Sequence, residues 1–306
     1  MKDKKALIFG ITGQDGILLS NLLIKKKYKV YGFYRDKKKI KLVNKKVLKI
    51  YKKDLNNEII SKFIKHKKFD EIYFLIGQSE SHSSFKFPEK SLHSNFIIFT
   101  HIINNCIRYS KKTKVFYASS GEIFGNSIKN VNEESQKNPL SPYALSKYLS
   151  MEYIRYFRKF YNLNISVGIF FNHDSVYRSK DNFSKKLINY LKGKNFKKFK
   201  LELGNIDIHR DFGYAKEYVD AIYKINKSRD ADDYIIATGK STLVRNVIKF
   251  AFKLKNKNYL KFIKINKNKF KNKHVKNMSA NINKIKKKIK WVPKKNIKDL
   301  IREEII

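Results

Sequence analysis

The stretch KALIFGITGQDG sets three glycines, Gly10, Gly13 and Gly16, between a short apolar run and a helical pattern that continues from Gln14 to Lys26. A second apolar run, from Tyr28 to Tyr34, follows. Strand, turn, helix and strand in that order admit few architectures, because strands joined through a helix are expected to lie parallel in one sheet. Glycine at such a turn has a second meaning. It permits a tight turn and a close backbone approach to a pyrophosphate, with a helix N-terminus aimed at the anion. The spacing G-x-x-G-x-x-G alone also fits a turn that holds nothing, and the strand-helix-strand setting favours a dinucleotide.

The alternation continues. Strand-like runs lie at 47–51, 71–76, 114–119 and 165–171, with helical stretches near 57–67, 88–109 and 143–161. This predicts an α/β fold with a Rossmann-type, doubly wound parallel sheet covered on both faces. After Phe171 the elements become short and mixed, with helices expected near 183–192, 214–227, 241–254 and 296–305. The expected division is a cofactor-binding Rossmann domain over 1–171, with part of about 205–228 returning to it, and a smaller interleaved C-terminal domain over 172–306 that mainly binds substrate. No internal repeat is present, and the Lys/Asn-rich tract at 255–277 carries enough Tyr, Phe and Ile to read as folded basic surface.

One cysteine, Cys106, allows neither an intramolecular disulfide nor a multi-cysteine zinc site, which fits a reducing compartment, the cytoplasm by default. The first apolar run is too short for a signal peptide, and no stretch has the length of a membrane-spanning helix. Lys and Arg number 69 against 26 Asp and Glu, a formal net charge of +43. Such a balance points toward anionic partners. However, Lys, Asn, Ile, Tyr and Phe are abundant together and the lysines are scattered through every segment, the pattern of an AT-rich coding sequence, so nucleic acid is not expected as a partner. The histidines 82, 93, 101 and 173 are not spaced as a ligand set, and no metal is expected.

The second strand ends in YGFYRD, and Tyr34 stands where an acidic residue would hold the ribose 2′-hydroxyl of NAD. Arg35 next to it suits a 2′-phosphate, so NADP is expected over NAD, with Asp36 as the opposing sign. Asp54 is placed to reach the adenine edge or to cap the following helix. In SPYALSK, Tyr143 and Lys147 are four residues apart on one helical face. A lysine there can lower the tyrosine pKa and hold a nicotinamide ribose, making the phenol a proton acceptor for an alcohol oxidised by hydride transfer. Tyr-x-x-x-Lys is common by chance; Ser120, at the end of the preceding strand, gives it weight as a partner for the same substrate oxygen.

With these residues in view, the chain resembles the extended short-chain dehydrogenase/reductases, and within them the GDP-mannose 4,6-dehydratase family. The similarity runs through ALIFGITGQDG, FLIGQSES, YASSGEIFG, SPYALSK, IFFNHDS, LGNIDIHRDFGYAKEYV and KIKKKIKWVPK, most of the chain. FFNHDS and GNIDIHRDFGYAKEYV are its most specific segments. The resemblance implies a nucleotide-sugar substrate, GDP-mannose, and a homodimer or homotetramer. It implies catalytic roles for Ser120, Glu122, Tyr143 and Lys147, and cofactor contacts from Gly10, Gly13, Gln14, Asp15, Gly16, Arg35, Asp54, Leu55, Tyr143, Lys147 and His173. Substrate contacts are implied for Ser79, Asn172, Arg178, Lys185, Arg210 and Lys271.

In that family's chemistry Tyr143 takes the O4 proton as hydride leaves C4, Glu122 takes the acidified C5 proton and assists departure of the C6 hydroxyl, and hydride returns to C6. Departures from the family pattern are Ser120 for threonine, Gly121 for serine, NHDSVYRS for NHESPRRG, Glu80 for a histidine and Lys271 for an arginine, a point ammonium in place of a bidentate fork. The plainer readings are a solvated Glu122 at a strand end, an Asn172 that caps a turn and an Arg210 paired with Asp211. Other functions stand beside it: a dehydratase of another nucleotide-sugar, a reductase or epimerase on the same scaffold, to which Glu122 is dispensable, and a non-catalytic basic anion-binding protein.

Overall fold

The computed structural model describes residues 3–34, 37–52, 55–77, 81–126, 128–193, 199–267 and 278–306. Its strands are β1 Lys5–Phe9, β2 Lys29–Tyr34, β3 Lys49–Lys52, β4 Glu71–Phe74, β5 Lys114–Ser120, β6 Ile128–Val131, β7 Ile165–Phe170, β8 Asn172–Asp174, β9 Leu201–Leu203, β10 His209–Tyr214, β11 Asp233–Ile236, β12 Ser241–Leu243, β13 Ile263–Ile265 and β14 Met278–Ala280. Its helices are α1 Gln14–Lys25, α2 Asn57–Lys67, α3 Ser81–Lys86, α4 Pro88–Leu92, α5 Ile98–Tyr109, α6 Pro142–Tyr161, α7 Phe183–Lys192, α8 Ala215–Lys227, α9 Val244–Lys253, α10 Asn283–Ile289 and α11 Ile297–Ile305.

Two compact units result. The first is Met1–Phe124, Gln136–Phe170 and Val219–Tyr234; the second is Gly125–Ser135, Phe171–Tyr218 and Ile235–Ile306. Among the described residues the main sheet runs β11-β7-β5-β4-β1-β2-β3, and the pairs from β3 through β7 are all parallel. The strand order therefore reverses between β1 and β4, the point at which doubly wound sheets open a crevice beyond their strand ends. Every residue of β4 and β7 is buried, as strands covered on both faces require; the sequences are apolar apart from Glu71 and Ser166, and Glu71 is held by hydrogen bonds from Tyr28 and Tyr73. The aromatic-rich composition fills this core: Phe9 stacks on Phe33 at 5.2 Å and Phe74 on Tyr117 at 5.5 Å between ring centroids.

Capping explains where the helices begin. Asn56 accepts from the Ile59 amide at 2.9 Å to start α2. Ser141 accepts from Ala144 at 3.0 Å to start α6, with Pro142 at its first position and Asn162 in the left-handed conformation at its end. The expected helix over 88–109 is interrupted, because His93–Ile97 forms a π-turn between α4 and α5. The widened turn leaves the Asn95 carbonyl to accept from the Tyr117 hydroxyl at 3.0 Å and Ser150 Oγ at 3.1 Å, bonds from β5 and α6 that local sequence does not announce. Likewise the helix expected from 241 begins at Val244, since Ser241–Leu243 pairs antiparallel with β10.

Within the second unit Asp211 is fully buried, and it receives Thr238 N at 2.8 Å, Thr238 Oγ1 at 2.7 Å and Gly239 N at 2.8 Å. Its carboxylate thus pins the turn after β11 and is not the ion-pair partner of Arg210. Burial holds the Asp211 carboxyl up at about 6 in spite of those hydrogen bonds. A carboxyl raised from 3.8 to about 6 on folding contributes stability at low pH that is lost as pH rises through about 6. In D211A, chemical unfolding should show a loss of at least about 1 kcal/mol from the stranded amides, and the gap from the unaltered protein should narrow as pH rises from about 4 to about 6.

Candidate active site

The turn after β1 is built by glycines with unequal duties. Gly10 has φ +90°, and a Cβ there would lie 2.9 Å from Ile76 Cγ2. A Cβ on Gly16 would lie 2.2 Å from the Gly10 carbonyl oxygen, so α1 packs on the turn only because that atom is missing. Gly13 is different: it has ordinary φ, −73°, and a Cβ would sit 3.2 Å from the Gly10 oxygen, within a few tenths of an ångström of comfort. It is the N-cap of α1 and offers no side-chain cap, leaving a bare helix end suited to an anion. Gln14 is buried with Nε2 donating to Asp15 Oδ1 at 3.3 Å. Leu55 is half-buried between β3 and α2. Tyr34 closes β2, while Arg35, Asp36 and Asp54 lie outside the described residues.

At the end of β5, strand alternation sends Ser119 against Met151 Sδ at 3.0 Å and leaves Ser120 on the opposite face. The chain then turns through a 3₁₀ segment, Gly121–Phe124, and the Glu122 amide donates to Ser120 Oγ at 3.3 Å. Ser120 and Glu122 are half-buried, Tyr143 and Lys147 buried. The Lys147 ammonium donates to the Ala118 carbonyl at 2.8 Å, with the Tyr117 and Tyr143 ring centres 4.9 and 6.0 Å away. Burial brings Lys147 down to about 7, so near neutral pH it is poised between its two forms and an adjacent anion draws it to the charged one.

Three supporting residues escaped the sequence reading. A Cβ on Gly77 would fall 2.2 Å from Asn95 Oδ1 and 3.2 Å from Lys147 Nζ, so glycine makes room for both. Asn95 Nδ2 donates to Ser146 Oγ at 2.9 Å on α6, and Tyr117 lays its ring under the lysine. Only the glycine in FLIGQS carries a signal that spacing could have exposed; the other two read as core.

In the second unit, Asn172 opens β8 exposed to solvent. His173 Nδ1 lies 2.8 Å from the Phe171 carbonyl, which only accepts, so Nδ1 carries the proton; the ring stacks on Tyr218 at 4.6 Å. Arg178 pairs with Asp174 at 3.1 Å, Lys185 Nζ lies 3.9 Å from Glu304, and Arg210 donates to the His209 carbonyl at 2.8 Å. Ser79, Glu80 and Lys271 lie outside the described residues. No group of three His, Cys, Asp or Glu side chains among the described residues is arranged to hold a metal. Cys106 is buried, which pushes its thiol up to about 12 and makes it inert.

The first unit therefore gathers a hydroxyl, a carboxylate, a phenol and a buried amine around one strand end and one helix. A phenol backed by the amine suits removal of an alcohol proton, and the separate carboxylate suits a second proton transfer.

A protein-family model described as GDP-mannose 4,6 dehydratase matches residues 7–304. GDP-mannose 4,6 dehydratase 1 of Arabidopsis thaliana is 30% identical, over 98% of this chain and 88% of that protein. The GDP-mannose 4,6-dehydratase of Vibrio cholerae is 32% identical over 81% of this chain and 71% of its own. Among solved structures, the UDP-N-acetylglucosamine 4-epimerase of Methanobrevibacter ruminantium superposes with a TM-score of 0.88 at 22% identity, covering 100% and 98% of the two chains. The NAD complex of dTDP-glucose 4,6-dehydratase from Bacillus anthracis gives 0.85 at 19% identity, covering 99% and 95%. These two establish the fold.

The glycines separate packing from binding in a testable way. Gly16→Ala should lower stability by about 1–3 kcal/mol through overpacking. Gly13→Ala should leave the thermal midpoint nearly unchanged yet weaken nicotinamide dinucleotide binding at least about tenfold, about 1.4 kcal/mol, as read by calorimetric titration.

Proposed function

The chain belongs to the GDP-mannose 4,6-dehydratase family, and from that premise we propose that it converts GDP-mannose to GDP-4-keto-6-deoxy-mannose and water. The observation that carries the reading is Glu122, a carboxylate set two residues beyond Ser120 on the turn that follows β5. A reductase or an epimerase has no elimination step and no use for a carboxylate there.

The nicotinamide, when bound, supplies hydride acceptance from C4 and return to C6, so the reaction has no net redox change. Tyr143 takes the O4 proton, with Ser120 bonded to the same oxygen and Lys147 favouring the ionised phenol. The resulting 4-keto group acidifies C5–H. Glu122 removes that proton and delivers a proton to the C6 hydroxyl, which leaves as water. Hydride arriving at C6 is matched by a proton at C5, which balances the one taken from O4.

The bare end of α1 and the room above Gly13 fit a dinucleotide pyrophosphate. NADP is our assignment over NAD, supported by Tyr34 in place of an acid at the end of β2 and by Arg35 next in sequence. Asn172, Arg178, Lys185 and Arg210, with Ser79 and Lys271, are assigned to the nucleotide sugar on the family resemblance. Among the described residues no helix is long and apolar enough to cross a membrane. A cytoplasmic setting is part of the proposal, supported by a lone buried thiol.

Self-association belongs to it as well. Along α6 the outward residues Leu145, Leu149, Tyr156 and Phe160 are exposed, whereas Arg155 and Arg158 turn onto Asp233 at 2.8 Å each. In a chain of net charge +43 this is a face where like-charge repulsion is muted, and a second copy is the occupant we assign to it. Light scattering should find a dimer or a multiple of one, and L149D/Y156D should release monomers while the isolated subunit keeps its fold. A monomer in the unaltered protein at moderate salt would remove this part.

For the chemistry, Glu122→Gln is the test. The variant should still form bound NADPH on mixing with GDP-mannose, while keto-deoxy product falls at least about 100-fold; product at the unaltered rate would remove Glu122 from the mechanism.

A further inference from the structure

Ser84 has no role in any step above, yet it is fully buried and bonded to the residue that moves the first proton. It sits in α3, and its Oγ accepts from the backbone N–H of Tyr143 at 3.2 Å, across 59 residues of sequence. The reason this bond exists lies in the way α6 starts. The first turn of any helix leaves its N–H groups without intrahelical acceptors. In α6 the first position is Pro142, which has no N–H. The Ala144 N–H goes to Ser141 Oγ at 3.0 Å, and the Leu145 N–H goes to the Ser141 carbonyl at 2.8 Å. The N-cap is then fully used, and the Tyr143 amide is the first-turn donor that must look outside the helix. Ser84 supplies its acceptor.

We propose that Ser84 is a positioning residue for Tyr143, fixing the backbone from which the phenol reaches the substrate; this rests on the reading of Tyr143 as proton acceptor. Two bonds then hold α6 at the site from different elements. Lys147 is tied to β5 through the Ala118 carbonyl, and Tyr143 is tied to α3 through Ser84, one helical turn apart. The phenol's distance from the lysine depends on both.

The test compares S84A and S84T with the unaltered protein, and uses Y143F as the control on the underlying reading. In protein labelled with ¹⁵N-tyrosine, exchange of the Tyr143 amide should quicken at least about tenfold in S84A, the removal of a bond of about 1.4 kcal/mol, and return toward normal in S84T. Turnover of GDP-mannose should fall about tenfold in kcat with KM changed less than about twofold, the mark of misplacement and not of lost binding. The acid-side limb of the kcat profile should move to higher pH, because a phenolate set farther from the Lys147 charge gains less from it. If S84A fails to fold, S84C keeps the volume with a weaker acceptor and carries the same three readouts. Faster amide exchange with unchanged kcat and an unmoved limb would overturn the positioning role. Unchanged exchange would overturn the bond itself. Full turnover in Y143F would instead sink the reading of Tyr143, and the proposal with it.

Discussion

The hydrogen bond from the Lys147 ammonium to the Ala118 carbonyl, 2.8 Å long and buried, joins the helix that carries Tyr143 to the strand that ends in Ser120 and leads into the turn with Glu122. A buried amine is unfavourable unless its surroundings compensate it. Here the compensation is one carbonyl and the face of Tyr117 at 4.9 Å, which is enough to seat the side chain but leaves its pKa near 7. The space it occupies exists because position 77 has no Cβ and because Asn95 is held back by Ser146. The π-turn that contains Asn95 adds two further ties to the same elements, since its carbonyl accepts hydroxyls from β5 and α6. A site whose central amine changes charge easily responds to any anion placed beside it, and that is the property a phenol acting as base requires.

The positive charge of the chain bears on stability more than on chemistry. With 26 acids against 69 cations, buried acids serve several partners at once. Glu71 receives Tyr28 at 2.8 Å, Tyr73 at 2.5 Å and Lys227 at 2.6 Å, and Asp233 holds both Arg155 and Arg158. Each such acid left unpaired or removed would strand more than one group, so the few carboxylates inside the protein are where substitution would be felt most. Phe and Tyr fill much of the sheet core, where rings stack as Phe9 does on Phe33 and Phe74 on Tyr117.

Much of the first unit could be read before any coordinates. Strands buried on both faces write themselves as apolar runs, and α2 falls on the range its periodicity indicates, 57–67, as α7 of the second unit does on 183–192. What could not be read is whatever long-range contact decides. The pairing of β6 with β14 joins residues about 150 apart along the chain, and three-residue strands such as β8, β9 and β12 are too short to show a period. Of the site, the glycine turn and the Tyr143/Lys147 pair are legible because helical and turn geometry sets their spacing. Asn95, Tyr117 and Ser84 are not, because their meaning lies in a neighbour brought close by the fold. Arg210 shows the limit in the other direction: adjacency in sequence suggested a pair with Asp211, but that acid is spent on the turn at Thr238 and Gly239.

The central claim is that one active site oxidises at C4, eliminates across C5 and C6, and returns the same hydride to C6. The measurement that tests it most directly is mass spectrometry with positional NMR of the product formed from GDP-mannose carrying deuterium at C4, in the presence of NADP. The account predicts a sugar nucleotide lighter by one water, with the deuterium at C6 and no accumulation of NADPH. An unchanged sugar nucleotide, or a dehydrated one with its deuterium lost from the product, would contradict it.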